Sequence, residues 1–371
     1  VRLDAVTRVR TLAAANAAKS ETDRRLAEEV VLATVDAGFA RHFVPRRWGG
    51  DAGTFGEYLS AVTVVGEGCA SASWCAALYA TLGRMCGYLP EAGQQRIWGS
   101  SPDTRIVGAI TPSGVVTPVD GGCLLSGKWP RTSAADFSDW ALCAGVVPSD
   151  RGDHGELRYF AVPRDDYTVE DTWFNVGMCA TGSNTIVLDG ALVPETSSFP
   201  GDNLWQGKGV DAAAPCHNVA FKAVNGLSFV APALGAVRAA TSHWAAVIAT
   251  KTEINGKATR DRETVRLALA RSAAETDAAE LLLERAAATA DAGAVEPDLL
   301  VRNSRDYAVA MDLLVTAIER IFRASGARGQ GEDNPVQRAW RDVTCAAGHV
   351  ALQFEANGAA YARHVLAELA H

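Results

Sequence analysis

Gly326-Ala-Arg-Gly-Gln-Gly-Glu-Asp-Asn-Pro-Val-Gln-Arg-Ala-Trp-Arg-Asp342 lies between two long helical patterns of a 371-residue chain, and the reading of the whole turns on it. Its glycines, Gly326, Gly329 and Gly331, can take backbone angles closed to other residues. Asn334 then stands where an N-cap is expected and Pro335 at the first helical position, where its missing N–H costs nothing. A helix beginning there points free N–H groups at the loop, an arrangement suited to a phosphate. Arg338, Arg341 and Asp342 follow within two turns, and His349 is expected on the same helix roughly two turns further at about 3.6 residues per turn. One element would then hold an anionic cofactor end and an ionisable group, although a capped interhelical loop with no ligand fits the same residues.

Working outward, the chain around this loop is helical. Segments near 219–250, 260–291, 296–325 and 335–370 are rich in Ala, Leu, Glu and Arg, with apolar positions three and four apart. At about 1.5 Å per residue each spans roughly 45 Å, which predicts an antiparallel four-helix bundle over 219–371. The first stretch, 1–103, also reads as helices. Ser20 with Asp23 signals a helix start, Gly38 a stop, Phe55 to Val65 a second helix, and Ser71 to Gly87 a third that is apolar nearly all round and so buried. Between them, over 104–218, short runs such as Arg105–Ile110, Cys123–Leu125, Trp140–Val147, Leu157–Val162 and Thr185–Leu188 alternate with Asp120-Gly-Gly, Asp150-Arg-Gly-Asp and Asp189-Gly. That texture predicts a compact antiparallel β domain, followed by a long loop over 197–218. The fold class is mainly α with a central β domain.

A formal net charge of −8 argues against nucleic acid or an anionic membrane as partner. No run of about 18 apolar residues is read in the sequence, and a cytoplasmic protein is expected. The eight cysteines (69, 75, 86, 123, 143, 179, 216 and 345) fall in apolar runs without a Cys-x-x-Cys pair, so they are expected to be reduced core residues, with no metal site.

Two clusters in the β domain end in small hydroxyl residues. Gly127-Lys-Trp-Pro-Arg-Thr-Ser133 carries Trp129, Thr132 and Ser133, and Trp173-Phe-Asn-Val-Gly-Met-Cys-Ala-Thr-Gly-Ser183 carries Thr181, Gly182 and Ser183. Each alone is readable as a strand end with a turn. Together they suggest one planar heterocyclic ligand, hydrogen-bonded by hydroxyls and covered by an aromatic face. Of the seven histidines, His349 stands beside the glycine-rich loop, where a satisfied core histidine and a catalytic one are both possible readings. A Gly-x-Ser-x-Gly elbow, a Gly-x-Gly-x-x-Gly after a strand and a P-loop are all missing from the sequence, which argues against serine hydrolysis, a nicotinamide fold and an ATP fold.

The order of domains resembles the acyl-CoA dehydrogenase superfamily along nearly the full length. The residues that carry the resemblance are Phe43-Val-Pro-Arg-Arg-Trp-Gly-Gly50, Leu125-Ser-Gly-Lys-Trp129 through Ser133 with Asp139-Trp140, Gly177 through Ser183 with Val187 to Pro194, and Asp333-Asn-Pro-Val-Gln-Arg-Ala-Trp-Arg-Asp342. The last points to the branch of two-component flavin-dependent monooxygenases. Dehydrogenases of the superfamily keep a carboxylate base either after the last Arg-Asp or early in the bundle; here those places read Gly348-His-Val350 and Phe229-Val-Ala-Pro232, without a Glu.

The resemblance implies reduced flavin, FADH2 or FMNH2, delivered by a separate NAD(P)H:flavin reductase, with O2 as co-substrate and a flavin C4a-hydroperoxide as oxidant. It implies that Trp129, Thr132, Ser133, Thr181, Gly182 and Ser183 surround the flavin ring. Gly329, Asn334 and Arg338 of a neighbouring subunit would meet its phosphate end in a homotetramer, and His349 would be the base. Relatives acting on small phenols tend to carry a histidine near Leu82 and serines near Val107-Gly-Ala109. Their loss here implies a roomier, less polar pocket for a bulky aromatic or polycyclic natural-product intermediate. An N-oxygenase of a nucleotide-linked amino sugar, and a dehydrogenase with a displaced base, are the alternatives it leaves.

Overall fold

The computed structural model describes residues 1–148, 155–210, 214–293 and 295–370. Five helices come first: α1 (Leu3–Asp23), α2 (Glu28–Asp36), α3 (Phe55–Gly66), α4 (Ala70–Cys86) and α5 (Glu91–Trp98). Ser20 does not start a helix as its spacing with Asp23 suggested. It lies inside α1, which ends at Arg24 in a left-handed conformation, and its hydroxyl accepts from the N–H of Ala27 just before α2. Thr54 caps α3 in a full capping box with Glu57, and α4 is buried on almost every side, as its apolar texture requires.

Eight strands follow: β1 (Ile106–Ala109), β2 (Val115–Val119), β3 (Gly122–Thr132), β4 (Trp140–Val147), β5 (Glu156–Pro163), β6 (Thr168–Glu170), β7 (Asn184–Pro194) and β8 (Ser198–Pro200). They form two four-stranded sheets, ordered β1-β4-β5-β8 and β2-β3-β7-β6. The domain is not wholly antiparallel: β1 enters from α5 and pairs in parallel with β4. Asp189-Gly190 does not turn the chain. Gly190, at φ +67°, sits in a bulge within β7, because β3 pairs on both sides of it and skips a residue between Leu125 and Gly127. Part of the stretch expected as loop is regular, namely β8 and the short α6 (Gly201–Gln206), while Asp150-Arg-Gly-Asp lies outside the described residues.

The rest is helical: α7 (Leu227–Thr250), α8 (Glu263–Asp291), α9 (Pro297–Ser325), α10 (Pro335–Ala347) and α11 (Phe354–Glu368). The expected fourth bundle helix is thus two helices, broken at Gly348–Gln353. The stretch 221–250 is long and apolar enough to cross a membrane by length and composition, which the sequence reading missed; 83% of its apolar window is buried within the protein. It is the central helix, packed by α3, α4, α9 and α10. The eight cysteines are all free, and six of them are buried.

Close approach of α3 to α7 sets the helical half against the bundle. A Cβ on Gly235 would lie 2.2 Å from the carbonyl oxygen of Thr63, and one on Gly66 would lie 2.7 Å from that of Pro232. Alanine normally gains about 1 kcal/mol over glycine inside a helix. At this crossing the backbone cannot yield, so Gly235→Ala is expected to lower stability by about 1–3 kcal/mol, as overpacking does. Thermal melting checks this, and a variant as stable as the parent would show that the crossing can spread.

Candidate active site

Four hydrophobic or hydroxyl-bearing elements converge where α4, β3, the 177–183 turn and α7 meet. Trp74 of α4 donates its indole N–H to Ser133 Oγ at 3.1 Å, Ser133 lies 2.7 Å from Ser183 Oγ, Ser183 lies 2.7 Å from Thr181 Oγ1, and Thr181 donates to the Met178 carbonyl at 2.8 Å. Each hydroxyl has one hydrogen to give and two lone pairs. Since Thr181 gives its hydrogen to Met178, Ser183 must give to Thr181 and Ser133 to Ser183. The chain therefore runs one way, and each oxygen keeps one spare acceptor site. Gly182, at φ +52°, supplies the left-handed residue that lets Thr181 and Ser183 face the same point.

The turn is held by α10. Buried Asp342 accepts the N–H of Met178 at 2.6 Å, and Arg341 donates to the Val176 carbonyl at 2.6 Å. Gly177 lies so close that a Cβ there would be 2.4 Å from the Arg341 carbonyl oxygen. Met178 itself sits at φ +53°, a conformation costly for its side chain and kept by these contacts. Burial, helped by Glu21, pushes the Asp342 carboxyl up to about 6 despite the Met178 N–H, Arg341 and Arg338.

His349 is not on α10. That helix ends at Ala347, and His349 stands in extended backbone, its Nδ1 accepting the N–H of Ala351 at 3.2 Å. Its ring stacks on Phe229 with centroids 3.8 Å apart and meets the Trp74 ring edge at 5.9 Å. The break brings imidazole and hydroxyl chain to either side of one indole. Burial, with the Arg131 charge, lowers the His349 pKa to about 4, so the ring is neutral at pH 7, and not poised near 6.5 as its type alone suggested. Behind Phe229, Ser228 is fixed by Tyr58 and Thr81, each at 2.8 Å.

Of the expected flavin residues, the structure gathers Ser133, Thr181, Gly182 and Ser183. Trp129 is elsewhere: it is fully buried between the sheets, its indole N–H bonded to the Ala144 carbonyl at 2.8 Å, so it offers no face to a ligand. Thr132 is fully buried as well and turns its hydroxyl back to the Trp129 carbonyl at 3.1 Å across an irregularity in β3. In this chain Gly329 packs on Ser325, Asn334 caps α10 by accepting from Val336 N–H at 2.9 Å, and Arg338 pairs with Glu21 at 3.0 Å. Among the described residues, no hydrogen bond or ring contact joins these three to the hydroxyl chain. At Gly108 the Leu82 side chain packs close to the strand, 2.9 Å from where a Cβ would be. Trp74, Phe229 and Arg131 were missed; Trp74 was hidden in a helix whose apolar residues run all round.

Residues 227–354 match the family described as acyl-CoA dehydrogenase, C-terminal domain. The oxygenase component of an FADH(2)-dependent resorcinol hydroxylase from Rhizobium sp. (strain MTP-10005) is 30% identical over 366 residues, which cover 92% of this chain and 88% of that protein. The chain belongs to the oxygenase components of the two-component flavin-dependent monooxygenases. Among solved structures, the 3-HSA hydroxylase from Rhodococcus sp. RHA1 superposes with a TM-score of 0.93 at 25% identity, covering 98% of this chain and 96% of that one. XiaF from Streptomyces sp., in complex with FADH2 and glycerol, gives 0.91 at 28% identity, covering 97% and 93%.

A monooxygenase of this family uses reduced flavin, and the hydroxyl chain fits it. Two-electron reduction turns the ring's N5 from an acceptor into an N–H donor, and the spare acceptor sites of Ser133, Ser183 and Thr181 match donors. Ser183→Ala would free the Ser133 hydrogen. The preference for reduced over oxidised FAD, measured as a ratio of dissociation constants under anaerobic conditions, should then fall roughly tenfold, the worth of about one hydrogen bond. An unchanged ratio would mean that the direction of the chain does not matter.

Asp342 is testable by stability. Asp342→Ala strands the buried Met178 N–H and should cost about 1–3 kcal/mol, whereas Asp342→Asn keeps an acceptor and should cost much less. Because the folded carboxyl is raised to about 6 from its ordinary 3.8, its contribution is fully present below pH 3.8 and lost as pH rises through 6. Melting temperatures of the parent, referenced to Asp342→Asn, should fall over that window; a flat difference would show that Asp342 titrates normally.

Proposed function

We propose that this monooxygenase hydroxylates a bulky aromatic or polycyclic natural-product intermediate. The observation that carries the reading is the cluster of three rings, with Phe229 and His349 stacked at 3.8 Å and Trp74 edge-on to His349, beside the acceptor chain that fits reduced flavin. Such a cluster offers ring edges and apolar surface against which an aromatic substrate packs. Relatives support the aromatic class, being named for resorcinol, p-hydroxyphenylacetate and indole-3-acetate. Flavin supplies the oxygen activation and the atom transfer. The protein's own groups orient the substrate and keep water out.

His349 is the residue that meets the substrate's exchangeable proton. With Nδ1 taken by Ala351 N–H, the neutral ring carries its hydrogen on Nε2 and polarises a substrate oxygen as a donor. To act as the base, it exchanges tautomer and gives up the Ala351 bond. Either role places electron density on the ring carbon that is oxidised.

The working unit we propose is a homotetramer in a cytoplasmic setting. Supporting it, α11 buries no residue, and Val350, Leu366 and Leu369 are 79, 67 and 79% exposed at the bundle's end. In that unit, Gly329, Asn334 and Arg338 of a neighbouring subunit would approach the phosphate end of the flavin. The separate reductase would supply flavin from NAD(P)H.

The test supplies a flavin reductase, NADH, FAD and one-, two- and three-ring phenols, and measures hydroxylated product and hydrogen peroxide together. Product is expected only when every component is present. His349→Ala should lower product about 10²- to 10⁴-fold while peroxide rises, and the acid limb of the parent's product yield should lie near pH 4. Equal yields from variant and parent would make His349 a packing residue, and absence of product from all the phenols would overturn the aromatic reading.

A further inference from the structure

Beyond its charge on His349, Arg131 is unusual in three respects. It holds φ at +59°, one of five non-glycine residues with positive φ among those described, at the irregularity where β3 leaves its pairing between Trp129 and Thr132. Such backbone is unfavourable for a long side chain and persists where surrounding structure imposes it, often at ligand sites. Two residues on, Ser133 bonds Trp74, which in turn touches His349. Arg131 thus stands two residues from the hydroxyl chain, and its charge is felt by the His349 ring.

Second, the guanidinium is exposed and makes no hydrogen bond, ion pair or ring contact with the described residues, although acids outnumber bases in this chain, 43 to 35. Four arginines on the elements around the 177–183 turn are engaged. Arg24 forks onto Asp171, Arg25 lies over the Phe137 ring, and Arg338 and Arg341 share Glu21. Third, carboxylates of the elements around β3 and the turn are engaged as well: Asp136 by the Asn184 amide, Glu170 by Lys128, Asp342 by Met178 N–H. A five-donor planar cation held in a costly conformation two residues from the hydroxyl chain is left without an internal anion.

We propose that Arg131 is the specificity residue of this site and pairs with a carboxylate on the aromatic substrate, so that the enzyme's preferred substrates are aromatic acids. A guanidinium and a carboxylate match as two parallel N–H···O bonds, which orients the ring as well as holding it. The ring cluster of His349, Phe229 and Trp74 packs against the substrate ring, and Arg131 fixes which edge of it points toward the hydroxyl chain. This inference rests on the aromatic-hydroxylase reading given above. The other anion within reach of the same chemistry is the flavin itself, and the experiment separates the two.

The full-length protein, with reduced FAD under anaerobic conditions so that nothing turns over, is titrated with three matched pairs: 4-hydroxybenzoate, 6-hydroxy-2-naphthoate and a hydroxyanthracene carboxylate, each against its primary amide. At least one acid should bind about 10- to 100-fold more tightly than its amide, the range for a charge-assisted pair. Arg131→Asn, a neutral residue that tolerates the left-handed backbone, should abolish that ratio, and Arg131→Lys should keep part of it, with reduced-FAD affinity within about twofold in both. The proposal is overturned if no acid outbinds its amide, whether or not either binds, or if the ratio survives in Arg131→Asn. A loss of reduced-FAD affinity without a change in ratio would overturn it too and assign Arg131 to the flavin. Failure of the hydroxylase reading is distinct: the acid preference would be present, but reductase-coupled reactions would yield no hydroxylated product from any pair.

Discussion

The hydrogen bond from Met178 N–H to Asp342 joins the two halves of this protein at the point where its chemistry is assembled. It is short, at 2.6 Å, and buried, and it ties the β domain's hydroxyl turn to a bundle helix 164 residues away in sequence. Met178 accepts the Thr181 hydroxyl and the Trp173 indole N–H on its carbonyl, so one peptide fixes both the start of the hydroxyl chain and the loop that precedes it. A buried carboxylate is costly to keep charged. Here an N–H that would otherwise be orphaned, and Arg338 and Arg341 on the same helix, themselves drawn to Glu21 of α1, reduce the cost without cancelling it.

The break between α10 and α11 is the second constraint. Were the helix continuous, His349 would follow the α10 axis; at Gly348 the chain leaves the helix instead and lays the imidazole flat on Phe229. Phe229 is steady because Ser228 beside it is bound by Tyr58 of α3 and Thr81 of α4. Three helices therefore place one ring cluster. The hydroxyl chain begins at the same Trp74 that touches His349, so the hydroxyls and the imidazole share a support.

Around His349 the charge of Arg131 meets a neutral ring. Desolvation keeps His349 uncharged, and Arg131 adds to that effect. In a chain with a net charge of −8, this local reversal concerns small ligands at one pocket and leaves the overall field unfavourable to nucleic acids.

Much of this was legible in the sequence. Period-three and period-four patterns locate the bundle, Asn334-Pro335 marks the start of α10, and the two hydroxyl clusters, Ser133 with Thr181 and Ser183, pair by their shared residue types. These are local signals, carried by neighbouring residues and by backbone propensities. What the sequence did not disclose depends on contacts between distant segments. Trp129 looked like a ligand cover, but the space between two sheets claimed it; Thr132 is adjacent to Ser133 in sequence, yet the β3 irregularity turns it inward. Gly348 is a helix-stop residue, but the residues after it resume a helical period, which masked the break. Trp74, Phe229 and Arg131 became site residues only through tertiary packing, since burial and mutual orientation, not residue type, decide which of many aromatic or charged side chains meet.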